Sequence, residues 1–157
     1  MSVREMDLVT GQLKNDAEKT PETTAVVLGC FALVHAGTTS LLDAVAANHR
    51  QIYVGVLPDL GNLDESIADA AALLKPDERR RLLAAMEHTS GVAMLDDNQV
   101  LQDWIDAAEK VRWYCNANEN DIGEAVRDLL QRGGVRIKTL SPDSALNTAE
   151  VLERMRR

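Results

Sequence analysis

The sequence predicts an α/β protein in which helices cover both faces of a doubly wound, five-stranded parallel sheet, a three-layer α/β/α arrangement. Three observations predict it. Short, β-branched apolar runs alternate with helix-patterned segments from residue 24 to the end of the chain. The central runs are apolar throughout rather than every second residue, as strands covered on both faces must be. Apolar residues make up 45% of the chain but aromatic residues only 3%, so the core must be Leu, Val, Ile, Ala and Met. That palette suits helices packed on a sheet better than a β-sandwich.

The elements follow in order. Residues 1–22 are polar, with Met6, Val9 and Leu13 spaced for a weakly amphipathic helix that Thr20-Pro21-Glu22 would break. They are expected to form an N-terminal extension, docked on the domain or on a partner, ahead of a domain over residues 23–157. Thr24–Cys30 reads as the first buried strand, and Thr38–Asn48 as a helix with Leu41, Leu42, Val45 and Ala46 inward. Gln51–Leu57 is a second buried strand and Pro58–Asn62 a loop. Asp64–Leu74 is an Ala-rich helix; Pro76 then opens another over Asp77–His88, since proline suits a first helical turn. Gly91–Leu95 and Lys110–Cys115 are strands on either side of a helix at Gln99–Glu109. A helix over Asp121–Arg132 ends at Gly133-Gly134, a strong C-cap signal. Val135–Leu140 is the last strand, and Ala145–Arg157 a closing helix with basic residues in its last turn.

Charge and cysteine usage narrow the function classes. The formal net charge is −8, which opposes nonspecific binding to nucleic acid or to an anionic membrane but says nothing against a nucleotide in a local cleft. Cys30 and Cys115 form no CxxC or metal spacing, so a disulfide framework is not expected and a reducing cytoplasm fits. No apolar run reaches spanning length, and the first residues lack the apolar region of a signal peptide.

In an open α/β sheet, ligands bind at the carboxyl ends of the strands. The first strand here runs into Gly29-Cys30-Phe31-Ala32-Leu33-Val34-His35-Ala36-Gly37-Thr38 and a helix N-terminus at Thr38–Ser40. Backbone N–H groups and the helix dipole make such a turn suited to phosphate, with His35 placed to donate to a phosphoryl oxygen. Gly29 and Gly37 are expected to serve backbone geometry.

This turn is similar to the GxFDxxHxGH signature of the HxGH nucleotidyltransferases, closest to the glycerol-3-phosphate cytidylyltransferase and heptose-phosphate adenylyltransferase group. Further segments resemble that family in the same order. Pro76-Asp77-Glu78-Arg79-Arg80 is like its P-x-E-x-R, Leu95-Asp96-Asp97 like its acidic end of strand three, Gly133-Gly134 like its GG, and Asn147-Thr148-Ala149 stands where it has STT. The resemblance covers roughly residues 24–157. It implies a strand order of 3-2-1-4-5 and transfer of a nucleotidyl group from an NTP (CTP or ATP) to a phosphorylated small molecule, with release of pyrophosphate. It implies Mg²⁺ as cofactor and a homodimer. His35 and Thr38 stand at the catalytic positions; Gly29, Cys30, Phe31, Gly37, Lys75, Arg80, Asn147 and Thr148 stand at nucleotide-binding ones.

The chain departs from the pattern at several points. Thr38 replaces the second signature histidine, and a hydroxyl can cap a helix or bond a phosphate but carries no positive charge. Losing one such donor typically costs ~10²–10³ in rate. Ala32 replaces the signature aspartate. Asp59–Leu74 holds Asp59, Asp64, Glu65 and Asp69 and no basic residue, leaving Lys75 as the nearest cation. After the fourth strand, Tyr114-Cys115-Asn116-Ala117-Asn118-Glu119 lacks the family's lysine. These losses fall in one cleft, so the expectation is a protein that binds a nucleotide or phosphorylated metabolite with weakened, altered or absent catalysis. The alternatives are an active cytidylyl- or adenylyltransferase and a non-enzymatic interaction or scaffold subunit working through a partner protein.

Other residues carry a plain reading beside a functional one. Cys30 and Cys115 end strands that the resemblance makes neighbours, so they are either a redox pair or two buried thiols. Trp104 and Trp113 either stack on a base or anchor the core. Asp96 and Asp97 either hold Mg²⁺ or are solvated strand ends. The Arg79-Arg80-Arg81 run reads as a solvated helix face except for Arg80. His49 and His88 show no partner pattern and read as surface residues.

Overall fold

The computed structural model describes residues 3–7, 12–16, 24–32, 34–57, 74–95, 97–107, 111–116, 122–140 and 148–155. Two strands, β1 (Val3–Asp7) and β2 (Gln12–Asp16), precede the main sheet. The alternating elements are β3 (Thr24–Gly29), α1 (Ala36–Ala46), β4 (Gln51–Val56), α2 (Pro76–Ala84), β5 (Gly91–Met94), α3 (Asn98–Ala107), β6 (Arg112–Asn116), α4 (Glu124–Arg132), β7 (Ile137–Leu140) and α5 (Thr148–Met155). The helix expected over Asp64–Leu74 lies, save its last residue, outside the described residues.

The main sheet has five strands in the order β5-β4-β3-β6-β7, and every pairing in it is parallel. Counted within the sheet this is 3-2-1-4-5, as expected. Each residue of β3 is buried. Its even-numbered residues Val26 and Leu28 face one layer, with Trp113, Cys115, Leu101 and Trp104 of α3, and Val126 and Leu130 of α4. Its odd-numbered residues Ala25 and Val27 face the other, with Ile52, Val54, Val56, Leu41, Leu42 and Val45 of α1, and Leu83 of α2. The period-two alternation of a strand thus feeds two cores at once, which is why the run must be apolar throughout.

Gly55 in β4 marks the tightest point of the first core. A Cβ there would lie 2.6 Å from Leu95 Cδ1 and 2.7 Å from Leu28 Cδ2, so the two leucines close over bare backbone. At the end of α4, Gly134 adopts φ 75°. Its N–H donates to the Gln131 carbonyl at 3.1 Å and that of Val135 to Leu130 at 2.9 Å, a Schellman cap that the paired glycines predicted.

The N-terminal segment corrects the sequence reading. Instead of a helix through Met6, Val9 and Leu13, β1 and β2 pair antiparallel as a separate sheet. The register sets Met6 opposite Leu13 and Glu5 opposite Lys14. A spacing of three and four residues fits a helix stripe, but three apolar positions in a polar segment do not exclude this alternative. Strand β2 lies beside α3. Among the described residues no helix is long and apolar enough to cross a membrane.

Candidate functional site

Strand β3 is flanked by β4 on one side and β6 on the other. The chain therefore leaves β3 in one direction first and fills the other side later, which makes its carboxyl end the switch point of the sheet. The turn from Gly29 to His35 leaves from that point. The Gly29 carbonyl accepts the Leu57 N–H at 2.8 Å, tying the turn to the end of β4. Phe31 is buried and has φ 51°. A left-handed backbone at a bulky residue costs of order 1–2 kcal/mol and persists only where surrounding packing imposes it; Phe31 packs among Leu41, Leu42 and Tyr114. Among the described residues of the turn, Phe31 is the left-handed one. Gly29 and Gly37 are not among the residues with positive φ.

His35 is the N-cap of α1. Its Nδ1 accepts the Gly37 N–H at 2.9 Å, and its own N–H donates to Thr38 Oγ1 at 3.3 Å. Its carbonyl accepts the N–H groups of Thr38 at 2.9 Å and Thr39 at 3.2 Å. The helix therefore starts at Ala36, two residues before the expected Thr38, because the histidine ring does the work of an Asn or Asp cap. Three donors of the first helical turn are satisfied within the turn itself. With Nδ1 accepting, a neutral His35 ring carries its proton on Nε2. Thr38 is buried, its hydroxyl returning the cap.

The arginine run of α2 resolves differently from the expectation. Arg80, matched to the family motif, lies on the surface and donates from Nε and Nη2 to Asp77 Oδ1, each at 3.0 Å; that pairing holds the Asp77 carboxyl below its ordinary range. Arg81 pairs with Asp77 as well. Arg79 is the buried one, 1% exposed. Its Nη1 donates to the Cys30 carbonyl at 2.8 Å and contacts Cys30 Sγ at 3.0 Å. Sequence reasoning passed over Arg79 as solvated. The signal was its spacing: Arg79 stands four residues before the buried Leu83, on the inward stripe of α2. Lys75 is exposed as the residue ahead of α2, its N–H donating to Glu78 Oε1 at 3.0 Å.

The remaining candidates sort themselves by their partners. Cys30 and Cys115 are both buried and not joined in a disulfide; Cys115 packs in the α3–α4 core, while Cys30 meets Arg79. Trp104 and Trp113 belong to the same core, so neither offers a stacking surface. Asp97 Oδ1 accepts the Gln99 N–H at 2.7 Å and so caps α3. His49 and His88 both have partners, contrary to expectation; His88 is exposed, as expected, and His49 is half-buried. His49 Nε2 is 2.6 Å from Tyr114 Oη, and His88 Nε2 is 3.0 Å from Asp43 Oδ1. Thr148 begins α5. Asn147, Asp59, Asp64, Glu65, Asp69, Asp96, Asn118 and Glu119 lie outside the described residues.

Among the described residues no three His, Cys, Asp or Glu side chains cluster as a metal site, and the Asp97 carboxylate is engaged as a cap. Compared with protein-family models and with curated proteins, the chain matches none.

Proposed function

We propose that this chain is a nucleotidyltransferase-like protein that binds a nucleotide or a phosphorylated metabolite at the β3–α1 turn, with weakened or absent nucleotidyl transfer. The observation that carries the reading is positional. The ten residues similar to the HxGH signature occupy the carboxyl end of the central strand, at the switch point of a 3-2-1-4-5 sheet, where open α/β sheets bind ligands. The strained backbone at Phe31 in the same turn agrees with a site held for a purpose other than stability.

Loss of catalysis is supported by what the turn lacks. Transfer of a nucleotidyl group depends on charge stabilisation at phosphorus and on positioning. Thr38 brings a hydroxyl already engaged by His35 in place of a cationic ring, and the Arg80 guanidinium is paired off to Asp77. Mg²⁺ would arrive with a triphosphate.

Calorimetric titration with CTP and with ATP, each with Mg²⁺, tests the proposal, together with a pyrophosphate-release assay. Micromolar binding without turnover is the expected outcome. The informative variant is His35→Asn, which keeps an N-cap acceptor and removes the Nε2 donor; it should lose the binding heat while folding normally. No heat with either nucleotide would sink the triphosphate reading and leave the scaffold alternative. Pyrophosphate release at an ordinary enzyme rate would sink the claim of lost catalysis.

A further inference from the structure

Arg79 presents an unbalanced charge. It is 1% exposed, and among the described residues its hydrogen-bond partners are the carbonyl and the sulfur of Cys30. No carboxylate pairs with it among the described residues, and its Nε is buried without a partner. A guanidinium keeps its proton under any condition in which a protein folds. An unpaired charge in such a place costs several kcal/mol. One atom in contact with it can become an anion, and that is Cys30 Sγ, 3.0 Å from Nη1. Cysteines beside an arginine ionise well below their ordinary range.

We propose that Cys30 is held as a thiolate whose counter-ion is Arg79, and that this buried pair is a site of oxidation by peroxide. The thiolate sulfur attacks one oxygen of hydrogen peroxide. An S–O bond forms, the O–O bond breaks, and hydroxide leaves; sulfur loses an electron pair and peroxide gains it. The product, a sulfenic acid, adds an oxygen atom to a sulfur that is 0% exposed. The contact with Arg79 cannot survive that unchanged, so α2 lets go of the β3–α1 turn. Burial makes the reaction slow, because peroxide reaches the sulfur only when the turn opens.

Among the described residues, no other charged group nearby supplies the missing anion. On α2, Asp77 is engaged by Arg80 and Arg81 on the surface, and Glu78 accepts the Lys75 N–H. At the far end of the turn, His35 caps α1. Asn116, buried at the end of β6, carries no charge. The Cys30–Arg79 pair stands whether or not the turn binds a nucleotide.

The experiment is a thiolate titration by ultraviolet absorbance on the full chain carrying Cys115→Ala, so that Cys30 is the only thiol. The expected midpoint is below about pH 7.5, moving above about 8 when Arg79→Met is added. A midpoint above about 7.5 with Arg79 present overturns the proposal. On the same protein, peroxide followed by dimedone should tag Cys30, about tenfold more slowly in Arg79→Met; equal rates overturn the role of Arg79, and no tag overturns the oxidation site. If Arg79→Met does not fold, the pH dependence of tagging decides. A preformed thiolate gives a flat rate between about pH 7.5 and 9, whereas a rate that climbs with pH overturns the pair.

Discussion

His35 and Thr38 cap one another at the start of α1: the His35 ring accepts from the Gly37 amide at 2.9 Å while the Thr38 hydroxyl accepts the His35 N–H at 3.3 Å. Histidine is an uncommon N-cap, and here it binds the best-matched residue of the signature-like turn to the stability of the helix behind it. His35→Ala should therefore lower unfolding free energy by about 1 kcal/mol, the usual loss for a removed N-cap. His35→Asn should recover most of it. Urea denaturation of both variants checks this; equal destabilisation by Ala and Asn would mean that the ring acts through packing and not as a cap.

Two adjacent arginines should behave oppositely on truncation. Arg79→Ala removes a buried side chain and the bonds to Cys30, and should cost roughly 2–4 kcal/mol, as large-to-small changes in a core do. Arg80→Ala removes a surface pair with Asp77 whose members are 35% and 57% exposed, and should cost less than about 0.5 kcal/mol. Thermal unfolding of the two variants side by side is sufficient. Similar shifts would show that α2 does not hold the turn through Arg79.

Alkaline pH should destabilise the chain through Tyr114. Burial raises its phenol pKa above the ordinary value, with the Arg112 guanidinium opposing. The folded chain thus keeps the proton over a pH interval in which the unfolded chain has lost it. The sign follows: the contribution is complete below about pH 10, the unfolded value, and is lost as pH rises through the folded one. Unfolding free energy should fall more steeply above pH 10 in the unsubstituted protein than in Tyr114→Phe. At neutral pH the Phe variant should be less stable by about 1 kcal/mol, having lost the bond to His49. Parallel curves above pH 10 would remove Tyr114 from the alkaline transition.

Gly55 should resist enlargement. Its Cβ position is 2.6 Å from Leu95 Cδ1 and 2.7 Å from Leu28 Cδ2, and both leucines are themselves buried. Gly55→Val should cost about 1–3 kcal/mol as overpacking, despite the better strand propensity of valine. An unchanged melting temperature would show that the leucines swing aside freely.

The main sheet was legible because its central strands β3 and β4 are buried on both faces, which leaves no polar residue inside Ala25–Leu28 or Ile52–Val56 to blur the pattern. Gly133-Gly134 was legible for a similar reason, since a left-handed cap has a strong residue preference. The hairpin was not: three apolar residues in a polar stretch satisfy a helix spacing and a strand pairing alike, and only the register between Met6 and Leu13 decides. The site was legible as a turn but not in its chemistry. A motif match pointed at Arg80, whereas the inward stripe of α2, read from Leu83, points at Arg79. The cap at His35 is not legible because the sequence reading starts the helix at Thr38, two residues after its first residue, Ala36.

Strand β3 precedes both of its neighbours in the chain, β4 and β6. During synthesis β4 can pair with it early, but its other flank has no mate until Arg112–Asn116 has left the ribosome. Meanwhile Ala25, Val26, Val27 and Leu28, each no more than 1% exposed in the finished protein, form an open apolar ladder. Such a ladder is a template for any other strand that meets it. A nascent or truncated product ending before residue 112 is thus sticky by construction, and a chaperone that shelters the first hundred residues would matter more to this protein than one that acts after release.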